Sequence, residues 1–302
     1  MKILVGVDGS AHANEALRQA ALLSSTEDEL ILYFSPPKVR LRGREQDRQL
    51  IERARRAMAE SVLTEAEAKL STLDRPSVSR IIGTQPPRSG LLATAEAEQV
   101  DWIAVGARGL GPLERVLLGS VSTAIAHTAH KPVLVARPSR HEDDLFRVLF
   151  AYDGSTSAEA AASLVQRISW PPNTRGFVIT VIESLLAGQV PDWLLDEARD
   201  ADSEVMAQAW VREHEETKRQ KHEELAAYQK TLPEAFQSTV PLVAEGHAAQ
   251  CILSEIDTHG IDLVVLGARG MGAMGRLLVG STSDKLLRHA ACSVLIAREP
   301  SV

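Results

Sequence analysis

Short apolar runs alternate with stretches of helical periodicity along the whole chain. The run KILVGV (2–7) stops at Asp8-Gly9-Ser10, a turn and helix-cap sequence that predicts a strand followed by a helix. Ala13, Ala16, Leu17, Ala20 and Leu23 then recur at helical spacing. ELILYFS (29–35) predicts a second strand. A long amphipathic helix is marked by Ile51, Ala54, Met58, Val62, Ala66, Leu70 and Leu73. VSRII predicts a third strand ending at Gly83, a helix covers LLATAEAEQ, and WIAVGA (102–107) is a fourth strand. A last helix runs from Gly119-Ser120 to about His130, and PVLVAR (132–137) is the fifth strand. The remaining chain repeats this as RVLFAY, a helix from Ser155, FVITVI, a long helix, STVPLVAEG, a helix, LVVLGA, a helix and SVLIAR. Continuous apolar strands alternating with helices predict α/β units with a parallel sheet covered on both faces.

The repetition extends to the residues themselves. GARGLGPLERVLLGS (106–120) returns as GARGMGAMGRLLVGS (267–281), an offset of 161, and VLVAR (133–137) returns as VLIAR (294–298) at the same offset. VGVDGS (5–10) returns as FAYDGS (150–155) at an offset of 145, so the second half carries a net 16 extra residues before its glycine motif. The chain therefore reads as one domain duplicated, residues 1–140 and 145–302, joined by the polar stretch SRHEDD (139–144). Most of the extra length falls in an acidic segment over 192–232. Leu194, Ala198, Ala201 and Val205 start an apolar stripe there, and Leu225, Tyr228 and Leu232 end one. That pattern predicts a solvated helix lying on the sheet, with a partner-binding arm as the sharper reading.

Length and charge narrow the classes. The 302 residues allow two cores of about 150 residues each without disulfides or metals. A net charge of −7 argues against nucleic-acid or anionic-membrane partners, which call for a basic face. Two cysteines, Cys251 and Cys292, make no disulfide framework and suit a reducing compartment. No apolar run approaches the roughly 20 residues of a membrane span, so a cytoplasmic protein is expected.

The candidate chemistry lies where the repeats agree most closely. Gly106 and Gly267 close apolar strands, and Gly119-Ser120 and Gly280-Ser281 open helices. A helix start presents free N–H groups and partial positive charge, which suits phosphate. Asp8 and Asp153 follow first strands and fall at the same sheet edge, so a phosphate cradle would face a carboxylate able to hold ribose hydroxyls or magnesium. The lysine-bearing phosphate loop of the common NTPases is absent, and no Gly-x-Gly-x-x-Gly follows either first strand.

Both halves resemble the universal stress protein family as a tandem pair, each carrying the Gly-x2-Gly-x9-Gly-[Ser/Thr] motif of its ATP-binding members. The resemblance implies two adenine nucleotide α-hydrolase-like domains, each with a five-stranded parallel sheet, arranged as a pseudo-dimer with the fifth strands covering one another. It also implies an ATP site in each domain, with Mg accompanying the nucleotide at Asp8 and Asp153. Val7 and Tyr152 would sit beside these aspartates, and Phe34-Ser35 and Val181-Ile182 would meet adenine. Gly106, Arg108, Gly109, Gly119, Ser120, Val121 and Ser122 would wrap phosphates and ribose in the first half. Gly267, Arg269, Gly270, Gly280, Ser281, Thr282 and Ser283 would do so in the second. Where the family carries an apolar pair after the second strand, the first half has Ser35 before two prolines, which favours tighter ATP binding by the second half. The function implied is an ATP-binding stress-response regulator, with a homodimer and a regulatory protein as possible partners. A slow ATPase or self-phosphorylating enzyme and a nucleotide-free scaffold are the alternatives. His127, His130, His214 and His222 read as surface histidines, the cysteines as buried or partly buried thiols, and Trp102, Trp170, Trp193 and Trp210 as packing residues.

Overall fold

In a computed structural model of the chain, the residues described are 1–37, 45–70, 76–109, 118–141, 143–183, 201–270 and 279–299, with the backbone alone for 45–46 and 201–211. In the first half, β1 (Lys2–Gly6), β2 (Glu29–Phe34), β3 (Ser77–Ile82), β4 (Trp102–Gly106) and β5 (Val133–Ala136) alternate with α1 (Ala11–Leu22), α2 (Glu45–Ala68), α3 (Pro87–Ala97) and α4 (Ser120–Thr128). The second half follows as β6 (Phe146–Ala151), β7 (Thr174–Ile182), β8 (Leu242–Glu245), β9 (Leu263–Gly267) and β10 (Ser293–Ala297). Its helices are α5 (Thr156–Arg167), α6 (Ala201–Gln229), α7 (Ala248–His259) and α8 (Ser281–His289).

The ten strands of the described residues join one sheet in the order β3-β2-β1-β4-β5-β10-β9-β6-β7-β8. Pairing is parallel within each half, and β5 meets β10 antiparallel with Leu134 opposite Leu295. Successive strand residues face opposite sides of the sheet. Trp102 and Ala104 join the core under α1 and α2, whereas Ile103 and Val105 join the core under α3 and α4. Both cores run through the seam into the second half, and because one lies on each face of the sheet the strands read as unbroken apolar runs.

Two helices differ from their sequence reading. On α2 the buried face is Ala59, Leu63 and Ala66, with Leu70 just past its end, whereas Ala54 and Met58 are exposed, because the stripe that meets the core lies one position on from Met58 and Val62; Leu73 lies outside the described residues. The acidic helix is α6, and Leu225 and Leu232 bury its far end against the sheet with Phe236. Leu194, Ala198 and Trp193 lie outside the described residues, as do the side chains of Ala201, Val205 and Trp210. Trp102 is fully buried, and Trp170 packs edge-on against Phe236 at 5.2 Å. Among the described residues no helix is long and apolar enough to cross a membrane.

Strand register fixes which residues of the two halves correspond. Tyr33 stands opposite Gly6, and Ile179 opposite Ala151; their carbonyls accept the N–H groups of Val7 and Tyr152. Tyr33 therefore corresponds to Ile179, Phe34 to Thr180 and Ser35 to Val181. The sequence pairing of Phe34-Ser35 with Val181-Ile182 is out by one residue, because β7 continues to Ile182 while β2 stops at Phe34.

Candidate functional site

Each half builds the same turn beyond its first strand. Gly9 (φ +82°) and Gly154 (φ +79°) take the left-handed conformation that a side chain resists, which brings the aspartate before each back over the next helix. Oδ1 of Asp8 accepts the Ser10 N–H at 2.9 Å, and Oδ1 of Asp153 accepts the Ser155 N–H at 3.0 Å. The two serines cap α1 and α5, accepting the N–H groups of Ala13 and Ala158 at 3.2 and 3.1 Å. Their hydroxyls donate to the carbonyls of Arg108 and Arg269, both at 3.2 Å, and so tie each aspartate turn to the glycine loop.

The motif glycines divide by role. A Cβ on Gly106 would come within 2.5 Å of the backbone of His12 and Ala13, and one on Gly267 within 2.5 Å of the backbone of Ser157. These glycines let the first helix of each half rest directly on the fourth strand. A Cβ on Gly109 would lie 2.5 Å from Oδ2 of Asp8, and one on Gly270 2.8 Å from Oδ2 of Asp153. Here glycine makes room for the carboxylate.

Gly119 and Gly280 are the N-caps of α4 and α8, and neither helix has a side-chain cap. Their own N–H groups bond the carbonyls of Ala107 and Ala268, each at 2.7 Å. Ser122 and Ser283 are buried and donate back to the carbonyls of Gly106 and Gly267, pinning the loop instead of facing outward. Ser120 and Ser281 are exposed, and Val121 and Thr282 half-buried. α1 and α4, like α5 and α8, thus start at the same sheet edge: the first of each pair is capped by serine, while the second leaves its N–H groups open among the described residues.

In the first half these elements enclose a cavity of about 410 Å³, within the range of small-molecule sites. Val7, Asp8, Phe34 and Ser35 from the ends of the first two strands, Gly106, Arg108 and Gly109 from the end of β4, and Gly119, Ser120, Val121 and Ser122 from the start of α4 all line it. Every residue expected at the first site is therefore at this cavity. Sequence reasoning missed Tyr33, Pro87 and Leu91, which also line it. The signal for the last two is the start of α3, which falls at the same strand edge as α4. The Ser35 hydroxyl donates to the Gln85 carbonyl, so its role is to hold the β3–α3 loop. Asp8 is the one carboxylate and Arg108 the one cation among the described lining residues.

The second half keeps Asp153, Gly267, Arg269, Gly270 and Gly280 in matching places but changes their surroundings. Tyr152, in the place of Val7, stacks on Tyr228 of α6 with centroids 4.0 Å apart and donates to Glu159. Burial, reinforced by Glu159, pushes the Tyr152 phenol up to about 12. Glu299, just beyond β10, takes an ion pair from Arg269 at 3.2 Å.

The weaker candidates resolve into structural contacts. His127 is half-buried, placing Nδ1 2.7 Å from the Thr123 carbonyl and Nε2 2.9 Å from Asp284 across the seam. His214 meets Glu245 at 2.6 Å, so these two histidines are not free surface groups. Both cysteines are free thiols, and burial pushes Cys292 up to about 12. Among the described residues no three His, Cys, Asp or Glu side chains form a metal-binding group.

The model of the universal stress protein family matches residues 1–137 and again 145–298. The chain belongs to the universal stress protein family. A universal stress protein of Mycolicibacterium smegmatis is 27% identical over 98% of this chain and 96% of its own. One from Thermus aquaticus is 30% identical over 50% of this chain and 97% of its own, a relative the length of one repeat. Among solved structures, a universal stress protein from Archaeoglobus fulgidus superposes with a TM-score of 0.60 at 20% identity, covering 99% of this chain and 96% of that one. That likeness supports the α/β fold of this universal stress protein.

Proposed function

We propose that this universal stress protein is a cytoplasmic, ATP-binding regulatory protein with one nucleotide site in each of two domains, residues 1–140 and 145–302. The observation that carries this reading is the uncapped start of α4 opening on the same cavity as the Asp8 carboxylate. The N–H groups of Ser120, Val121 and Ser122, with Arg108, suit the phosphates. Asp8 suits a ribose hydroxyl or a magnesium ion, and Tyr33, Phe34, Pro87 and Leu91 offer apolar surface for a base. One carboxylate fits magnesium that arrives with a nucleotide, since that ion completes its shell with phosphate oxygens and water. When bound, it would supply positive charge that offsets the phosphates.

Binding is favoured over turnover by what lines the cavity. Fast phosphoryl transfer needs a metal clamp plus a residue that positions or activates the attacking group. Asp8 alone answers to that description among the described lining residues, and one of its oxygens is already engaged by Ser10. A nucleotide spanning α4, β1 and α3 would stiffen these elements against one another, and a homodimer or regulatory protein would read that state. Incubating the pure protein with labelled ATP tests the reading. Retained, intact ATP is expected. Released phosphate would favour a slow ATPase, and no retained nucleotide would leave a scaffold.

A further inference from the structure

Glu299 is placed where three donors converge. Its Oε1 accepts the Thr156 hydroxyl at 3.0 Å, the Ser157 hydroxyl at 2.8 Å and the Arg269 guanidinium at 3.2 Å. Ser157 is buried, so its hydroxyl depends on this carboxylate. The two hydroxyls, and then Arg269, hold the Glu299 carboxyl below the usual range. Backbone pairing identifies the equivalents in the first half: Ala107 donates to Ala136 as Ala268 does to Ala297, so Glu299 corresponds to Pro138. Thr156 and Ser157, the first two residues of α5, correspond to Ala11 and His12 of α1. Of the four groups, the arginine alone is shared.

We infer that Glu299 is an internal competitor for the anion cradle of the second domain, so that the two nucleotide sites are unequal and the first fills first. A carboxylate on Arg269 does for that guanidinium what a phosphate oxygen would do, and it adds negative charge where a polyphosphate approaches. The first half has proline there, and Arg108 lines its cavity. This reverses the order of affinities that Ser35 and Ile182 suggested. The inference rests on the ATP-binding reading above and assigns the residue that sets its stoichiometry.

Calorimetric titration of the full chain with ATP and magnesium tests it, using wild type, Glu299→Gln and Glu299→Ala. Glutamine keeps an acceptor for both hydroxyls while removing the charge; alanine removes the group. In wild type one site is expected to bind at least tenfold more tightly than the other. Both variants should strengthen the weaker site at least tenfold and leave the tighter one within twofold. Adding Gly109→Ala to Glu299→Gln should weaken the tighter site about tenfold or more and leave the strengthened one. Two equal sites in wild type, or a weaker site unmoved by both substitutions, would overturn the role of Glu299 while ATP binding stands. No binding by any form would overturn both readings together.

Discussion

Arg137 and Arg298 follow β5 and β10 at equivalent places, and each crosses the seam to the other half. Arg137 donates to the Leu287 carbonyl in the last turn of α8, and Arg298 donates to the Ala126 carbonyl in the last turn of α4. These carbonyls have no partner within their own helix turn, and they lie at the negative end of the helix dipole. Burial pulls both guanidinium pKa values down, that of Arg298 to about 10, so each charge is held in a dry setting by the helix it reaches. The β5–β10 pair is thereby clasped on both sides of its three paired positions.

Removing this clasp should loosen the seam. Arg298→Ala is expected to cost about 1.5–3 kcal/mol, the range for a hydrogen bond from a charged donor, and Arg137→Ala a comparable amount. Urea unfolding of each variant and of the pair measures it. Full stability in the double variant would show that strand pairing and the shared cores alone hold the halves together.

The two leading glycines of the motif should separate folding from binding. Gly106→Ala drives a methyl group into the backbone of α1 and is expected to cost about 1–3 kcal/mol, seen as a lowered melting temperature. Gly109→Ala meets a side chain instead, and Asp8 can turn away at the loss of its bond to Ser10. Its melting temperature should stay close to wild type while ATP retention at the first site falls about tenfold or more, the consequence of about 1.4 kcal/mol of lost binding energy. Equal losses of stability in both variants would contradict this division.

The repeat made the architecture legible, because a duplicated βα pattern with apolar strands leaves few alternatives. The first-half site was legible for a similar reason: Asp8, Gly109 and Gly119 mark a turn, a close approach and a helix start, each with a local signature. Three-dimensional partners were not legible. Ser122 lines the cavity, but that its hydroxyl serves Gly106 is set by where the loop returns. Glu299 carries no motif, and its meaning comes from Thr156, Ser157 and Arg269 arriving from distant segments. The match of Phe34 to Thr180 emerges only through strand register, because β7 runs two residues further than β2.

Tyr33 fills space that two glycines leave. A Cβ on Gly83 would lie 2.0 Å from its hydroxyl oxygen, and one on Gly90 1.8 Å. By register and by place in the helix, the second half has Ile179, Ala244 and Cys251 at these positions, a shorter side chain against two longer ones. Gly90→Ala should therefore cost about 1–3 kcal/mol through overpacking. Tyr33→Ile in the same chain should recover part of the loss, giving a coupling of about 0.5–3 kcal/mol in a double-mutant cycle. Additive costs would mean that Tyr33 and Gly90 do not share this space.

The Tyr152–Tyr228 stack should make the second half sensitive to alkali. Burial and then Glu159 raise the Tyr152 phenol to about 12, and burial with the same carboxylate raises Tyr228 as well. In the unfolded chain a tyrosine loses its proton near pH 10. Between these values the unfolded state gives up protons that the folded state keeps, so stability falls as pH rises. The contribution is fully present below about pH 10 and drains away as pH climbs through about 12. Tyr152→Phe keeps the ring on Tyr228 but has no proton to lose, so its stability should fall less steeply across that window. Replacing Tyr228 with phenylalanine as well should flatten the slope further, and comparison with wild type cancels every other group that titrates in alkali. Urea midpoints measured at intervals from about pH 9 upward decide the matter. The same alkaline slope in wild type and in the double phenylalanine variant would show that the stack between β6 and α6 stays closed whether or not its phenols are charged.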